Sequence, residues 1–248
     1  PAFAPIHMPD RQWPSRVISQ APIWLSTDLR DGNQALFEPM NVETKLKFFE
    51  QLVAIGFKEI EVGFPAASQL DFELVRRLID ENRIPDDVTI QVPTPAREPL
   101  IRRTFESLVG APRAIVHLYN ATAPVMREVV LGLNEDGVVA MATTHAQLIQ
   151  VLAEAQPGTD WRFEYSPETF SDTELPLAKR VVDAVTAVWQ PSVDRPCIIN
   201  LPTTIERCTP NVFADMVEWM HCHMARREHV VLSVHPHNDR GTGTATGE

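Results

Sequence analysis

Residues 197–237 read CIINLPTTIERCTPNVFADMVEWMHCHMARREHVVLSVHPH. Cys197–Leu201 and His229–Val234 are short, nearly continuous apolar runs. Such runs suit a parallel strand, which is covered on both faces. Between them Asn211–Arg226 is a long amphipathic stretch, with Pro210 where a first-turn proline is tolerated. The segment therefore reads as strand, helix, strand, the unit from which parallel sheets are built.

The same rhythm extends back to residue 23. Ile23–Leu25, Glu59–Phe64, Thr89–Val92, Ala114–Tyr119 and Trp161–Tyr165 are further apolar runs. Thr44–Ala54 places Leu46, Phe49, Leu52 and Val53 on one helical face, and Leu70–Asp80 does the same with Phe72, Val75, Leu78 and Ile79. Val138–Ala155 and Glu174–Trp189 are longer helical stretches, and Gly56 sits where a left-handed C-cap belongs. Strand starts recur about every 25–45 residues, the size of a βα unit. No Gly-x-Gly-x-x-Gly follows the first strand, which counts against a dinucleotide-binding sheet. Chemistry-bearing residues instead follow several different strands, the habit of a (β/α)8 TIM barrel. Seven strands are expected, so the barrel reads as truncated after strand seven. Residues 1–22, with Pro1, Pro5, Pro9, Pro14 and Pro22, are expected to form an extended arm, and residues 23–248 the catalytic barrel domain, incomplete at its C-terminus.

Composition narrows the function classes. The formal charge of −11 disfavours nucleic acid and anionic membranes as partners, and 44% hydrophobic residues supply a core. Cys197, Cys208 and Cys222 are too few and too scattered for a disulfide framework. No apolar run approaches the roughly 20 residues needed to cross a bilayer, and the first residues lack a signal-peptide pattern. A soluble protein of a reducing compartment, the cytoplasm, is the expectation.

The seventh strand ends in His235-x-His237. Residues i and i+2 of a strand point to one face, so both imidazoles can converge on a divalent metal. The first strand ends in Leu29-Arg30-Asp31-Gly32-Asn33-Gln34. Asp31 can add a hard oxygen to the two imidazoles, and Arg30 can clamp an oxyanion beside them. Alone, the His-x-His pair favours a reading as solvent-facing loop histidines, and the first pattern also reads as an ordinary turn.

Together the two patterns resemble the signatures of the isopropylmalate synthase and homocitrate synthase family. The first signature is Leu29–Gln34 followed after ten residues by Lys45, and the second runs from Leu232 through His235, His237, Asn238, Asp239, Gly241 and Gly243 to Ala245. The arm Met8-Pro9-Asp10-Arg11-x-Trp13-Pro14 and Asn33 are most similar to the long-chain 2-isopropylmalate synthase branch. The resemblance implies metal ligands Asp31, His235 and His237, with Zn2+ first and Mg2+ or Mn2+ as alternatives. It implies keto-acid contact by Arg30 and by His117 of His117-Leu118-Tyr119-Asn120. It places Ser166 and Glu168 of Glu164-Tyr165-Ser166-Pro167-Glu168 in the site, and Thr204 of Asn200-Leu201-Pro202-Thr203-Thr204 on the substrate carboxylate.

The activity it implies is a metal-dependent Claisen condensation of acetyl-CoA with 2-oxoisovalerate, followed by thioester hydrolysis, in leucine biosynthesis. Arg30 and Glu168 are the expected catalytic pair, Glu168 as the base, and a homodimer is the expected assembly. The bland alternatives are a core histidine at 117, a solvated acid at 168 and a helix cap at 203–204. Pro93 departs from the family, which carries a larger apolar side chain there, and no Gly-Asn-Gly-Glu-Arg motif is found. The competing functions are homocitrate or citramalate synthase, a related metal-dependent lyase, or an inactive fragment.

Overall fold

The computed structural model describes residues 6–248, so residues 1–5 of the expected arm lie outside the described part. Each apolar run becomes a parallel strand: β1 Leu25–Ser26, β2 Glu59–Glu61, β3 Thr89–Pro95, β4 Arg113–Ala121, β5 Asp160–Glu168, β6 Cys197–Thr203 and β7 Val230–Pro236. The seven follow one another in sequence order through one sheet. Among the described residues seven α-helices join the βα rhythm: α1 Val42–Ile55, α2 Gln69–Asp80, α3 Glu98–Ser107, α4 Glu135–Glu154, α5 Leu175–Trp189, α6 Pro210–His223 and the short α7 Gly243–Gly247.

Local chemistry sets the helix ends. The Asn41 side chain accepts the Thr44 N–H at 2.9 Å to start α1, and Gly56 closes it at φ 115°. The Ser68 hydroxyl accepts the Asp71 N–H at 3.2 Å to start α2. Pro210 is the first residue of α6, as expected from the sequence. Helix α3 is an addition to the sequence expectation. Its first turn carries Glu98 and Pro99, and its buried face is Ile101, Thr104 and Phe105.

The chain divides into two compact units. One holds Gln20–Leu118 and Leu148–Phe163. There β1 pairs with β2 from Leu25↔Glu59, and β2 with β3 from Glu59↔Thr89. Its core includes Leu29, Phe49, Ile60, Leu74 and Ile90, all fully buried. The other unit holds the stretch ending at Ser19, Tyr119–Gln147 and Glu164–Glu248. There β6 pairs with β7 along its whole length, from Cys197↔Val230 to Thr203↔Pro236. Phe170 meets Phe213 edge-on at 6.2 Å within a core that includes Val181, Val185 and Ile199.

The arm is docked on α6. The Arg11 guanidinium holds Asp215 through two nitrogens, one at 2.6 Å, and the Trp13 indole N–H donates to the same carboxylate at 2.7 Å. Backbone N–H groups of Gln12 and Trp13 donate to Glu218 at 2.8 and 3.0 Å. Among the described residues no helix is long and apolar enough to cross a membrane.

Candidate functional site

The strands outrun their apolar stretches, and the extra length carries the polar chemistry. β5 continues through Ser166 and Pro167 to Glu168, and β6 through Pro202 to Thr203. β4 extends to Ala121, which corrects the position of His117 from the strand's end to its middle.

In the unit that contains β1 to β3, Arg30 and Asp31 lie in a π-helical turn, Asp28–Gly32, that follows β1 directly. The Arg30 guanidinium donates both to the Asp31 carboxylate and to Glu61, the last residue of β2. Glu61 is 1% exposed. Gln91 on β3 donates to its other oxygen at 3.2 Å, and His117 Nδ1 lies 3.9 Å from that oxygen. Burial alone would push the Glu61 carboxyl up. The neighbouring His117 and the Arg30 charge outweigh burial and hold it below the usual carboxylate range. Glu61 therefore remains an anion, which sets the direction of the Arg30 fork and of the His117 ring.

In the unit that contains β6 and β7, the Thr204 hydroxyl donates to Glu168 Oε1 at 2.5 Å. The Asn200 side-chain amide donates to the Ser166 hydroxyl at 2.9 Å, with both residues buried. The Tyr165 hydroxyl donates to Asn120 at 2.8 Å, and burial pushes its ionisation far upward, helped by the Glu168 charge. His235 and His237 stand with ring centroids 5.3 Å apart, near edge-on, as expected of i and i+2 at a strand terminus. The His237 N–H donates to the Thr203 hydroxyl at 2.8 Å, tying the end of β7 to β6.

The segment after the histidines is built on Glu206. Its carboxylate accepts the backbone N–H groups of Arg240 and Thr242, the latter at 3.0 Å, and the Thr242 hydroxyl. These donors, chiefly the Thr242 hydroxyl, hold the Glu206 carboxyl below its usual range. A depressed folded-state value means the stabilisation exists above the unfolded value of about 4.3 and is lost as pH falls through the folded one. Lowering the pH from 6 towards 3 should therefore destabilise wild type more steeply than Glu206→Gln in thermal melts. Parallel slopes for the two proteins would remove Glu206 from this role.

Asp31 offers a carboxylate oxygen and His235 and His237 one ring nitrogen each, and all three are half-buried. One hard oxygen with two neutral imidazoles is a donor set that fits Zn2+ and other borderline divalent ions. Of the candidates, Arg30, Asp31 and His117 are gathered about Glu61, and Glu168 is joined to Thr204.

Glu61, Gln91, Asn200 and Glu206 were not singled out by sequence reasoning. A signal existed for Glu61: an acid at the end of an apolar strand, where burial demands a charged partner. Glu206 has none, because its partners lie more than thirty residues on, in a loop without periodicity.

Curated relatives cover the chain almost completely. The 2-isopropylmalate synthase of Parvibaculum lavamentivorans is 60% identical over 247 residues, which is 100% of this chain and 44% of that protein. The 2-isopropylmalate synthase of Cupriavidus taiwanensis is 61% identical over 245 residues, 99% of this chain and 43% of that protein. The chain thus spans less than half the length of these relatives. Among solved structures, an HMG-CoA lyase from Acinetobacter baumannii, in complex with coenzyme A and 3-methylmalate, aligns with a TM-score of 0.64 at 17% identity. That alignment covers 90% of this chain and 68% of the lyase. The Brucella melitensis HMG-CoA lyase gives 0.59 at 16% identity, covering 84% of this chain and 70% of that one. Both likenesses concern the fold, a TIM barrel. The HMGL-like family model matches residues 21–248, and the chain belongs to that family.

Proposed function

We propose that this chain is the catalytic part of a 2-isopropylmalate synthase, condensing acetyl-CoA with 2-oxoisovalerate and hydrolysing the resulting thioester. The observation that carries the proposal is the pair of half-buried imidazoles at the end of β7, with ring centroids 5.3 Å apart and the backbone anchored by Thr203. Relatives of about 60% identity that bear this name support the choice of reaction.

Asp31, His235 and His237 would hold the divalent cation, Zn2+ by donor type, which when bound supplies Lewis acidity towards the 2-oxo acid. Arg30 places a fixed positive charge beside the developing oxyanion. Buried, ionised Glu61 keeps that charge aimed, because it engages the guanidinium from β2. His117 and Ser166 are the further proposed contacts of the 2-oxo acid. Glu168 takes the proton from the acetyl methyl group, and Thr204 fixes the orientation of its carboxylate. In the chain alone the single Thr204 hydroxyl proton is committed to Glu168. Contact with the substrate carboxylate therefore requires this proton to change partners. A homodimer in the cytoplasm completes the proposal, with Val17 (87% exposed) and Ile18 (72% exposed) on the arm available as contacts.

Thiol release from acetyl-CoA, measured on the whole protein with a panel of 2-oxo acids, tests the substrate. 2-Oxoisovalerate should give the highest kcat/KM, whereas preference for pyruvate or 2-oxoglutarate would reassign the enzyme to the citramalate or homocitrate reaction. Asp31→Asn should weaken Zn2+ affinity at least tenfold by calorimetry, since a carboxylate ligand is lost. Unchanged metal content would remove Asp31 from the ligand set.

A further inference from the structure

Thr169 is a β-branched residue at φ 64°, ψ 32°, in the left-handed region that such side chains rarely enter. A conformation of that kind persists only where its surroundings over-determine it, and it concentrates at functional sites. Four contacts impose it here. The Thr169 hydroxyl oxygen accepts the Ala123 N–H at 3.1 Å, and the hydroxyl donates to the Glu168 carbonyl oxygen. The Thr169 carbonyl oxygen accepts the Thr173 hydroxyl at 2.9 Å and the Asp172 N–H at 3.0 Å. The residue is 6% exposed.

The turn aims one group at the candidate site. The Thr169 N–H donates to the Thr204 hydroxyl oxygen at 3.1 Å, and the Thr204 hydroxyl donates to Glu168 Oε1 at 2.5 Å. A hydroxyl carries a single proton. Once its oxygen receives the Thr169 N–H, that proton is directed towards Glu168. Aligned donors polarise one another, so the second bond is strengthened by the first. Oε1 is then occupied by Thr204, and proton transfer falls to the other oxygen.

We propose that Thr169 is a positioning residue: its left-handed turn orients the Thr204 hydroxyl, which in turn fixes the Glu168 carboxylate. The proposal rests on Glu168 and Thr204 serving the reaction as set out above. An extended or right-handed residue 169 would turn its N–H away, and Thr204 would then rotate freely about χ1.

The test is NMR on the whole purified chain, combined with 2-oxoisovalerate binding in the presence of Zn2+. Wild type and Thr169→Ser, which retains the hydroxyl, should show one Thr204 χ1 rotamer by three-bond couplings. Thr169→Val, which retains the bulk and loses the hydroxyl, should show averaged couplings and bind 2-oxoisovalerate about tenfold more weakly, the scale of one hydrogen bond to a charged group. In Thr169→Val/Thr204→Val the weakening should equal that of Thr204→Val alone, since Thr169 acts through Thr204. A fixed rotamer in Thr169→Val, or losses that multiply in the double variant, would overturn the relay. Should Thr169→Val fail to fold, amide hydrogen exchange decides. Thr204→Val should speed exchange at residue 169 at least tenfold, and an unchanged rate overturns the relay equally. If 2-oxoisovalerate fails to bind even wild type, the proposed substrate falls, while the couplings and exchange rates still decide the role of Thr169.

Discussion

Replacing Lys45 by methionine is expected to lower unfolding free energy by about 3–5 kcal/mol, the usual cost of breaking a buried ion pair from one side. The Lys45 side chain is 1% exposed, and its ammonium lies 2.5 Å from Asp71 Oδ1 on α2. The other oxygen of Asp71 accepts the Phe64 N–H at 2.9 Å. The pair therefore joins α1, α2 and the turn after β2. Gly63 shows how tightly the turn is held, since a Cβ there would meet Asp71 Cγ at 2.8 Å. Methionine fills the volume of the lysine and leaves the Asp71 charge 13% exposed and uncompensated. Urea unfolding of Lys45→Met, Asp71→Asn and the double variant gives the coupling. The double variant should recover part of the loss, because no orphan charge remains. A Lys45→Met midpoint within error of wild type would show that the pair contributes nothing to the fold.

Lys45 also marks where sequence reading stopped. Its position, with ten residues between it and Gln34, was visible as part of a signature, but its burial was not, because a lysine on an amphipathic helix ordinarily faces water. The βα rhythm was legible because period-3.6 and continuous apolar patterns are local. Helices α1 and α2 were read to within two residues at each end, with Gly56 correctly at the C-cap. α3 was not read, since Glu98-Pro99 follows directly on Pro93 and Pro95, and so many prolines suggest a loop. Pro93 and Pro95 lie within β3, as Pro167 lies within β5 and Pro202 within β6. Proline lacks only the donor, so a strand's last residues accommodate it where one ladder bond is dispensable. Arg30, Asp31, His235 and His237 stood out as candidates by residue type and by their place after a strand. Glu61 and Thr169 did not, because a buried acid needs a partner from another strand, and a left-handed threonine leaves no mark in the sequence.

On the proposed function, Arg30→Ala should reduce condensation by the whole protein about 100- to 1000-fold in kcat, the scale for removing one preorganised donor at a developing oxyanion. Two effects contribute, and they can be separated. The first is loss of the positive charge beside the reacting oxygen. The second acts through Glu61, whose carboxyl is held low by His117 and by the Arg30 charge against full burial. Without Arg30 the Glu61 value rises, so the variant should lose stability at neutral pH, and its further loss as pH falls should be smaller than that of wild type, because less separates the folded and unfolded values. Adding Glu61→Gln removes the titrating group and the unpaired buried charge together. Arg30→Ala/Glu61→Gln should therefore melt closer to wild type than Arg30→Ala does at neutral pH, while its turnover remains low. Arg30→Lys retains a charge but not the two-directional fork that reaches both Asp31 and Glu61, so its kcat should fall between the two. Assays well below each melting temperature keep chemistry apart from folding. If the double variant regains turnover together with stability, Arg30 serves the fold around Glu61 and not the oxyanion.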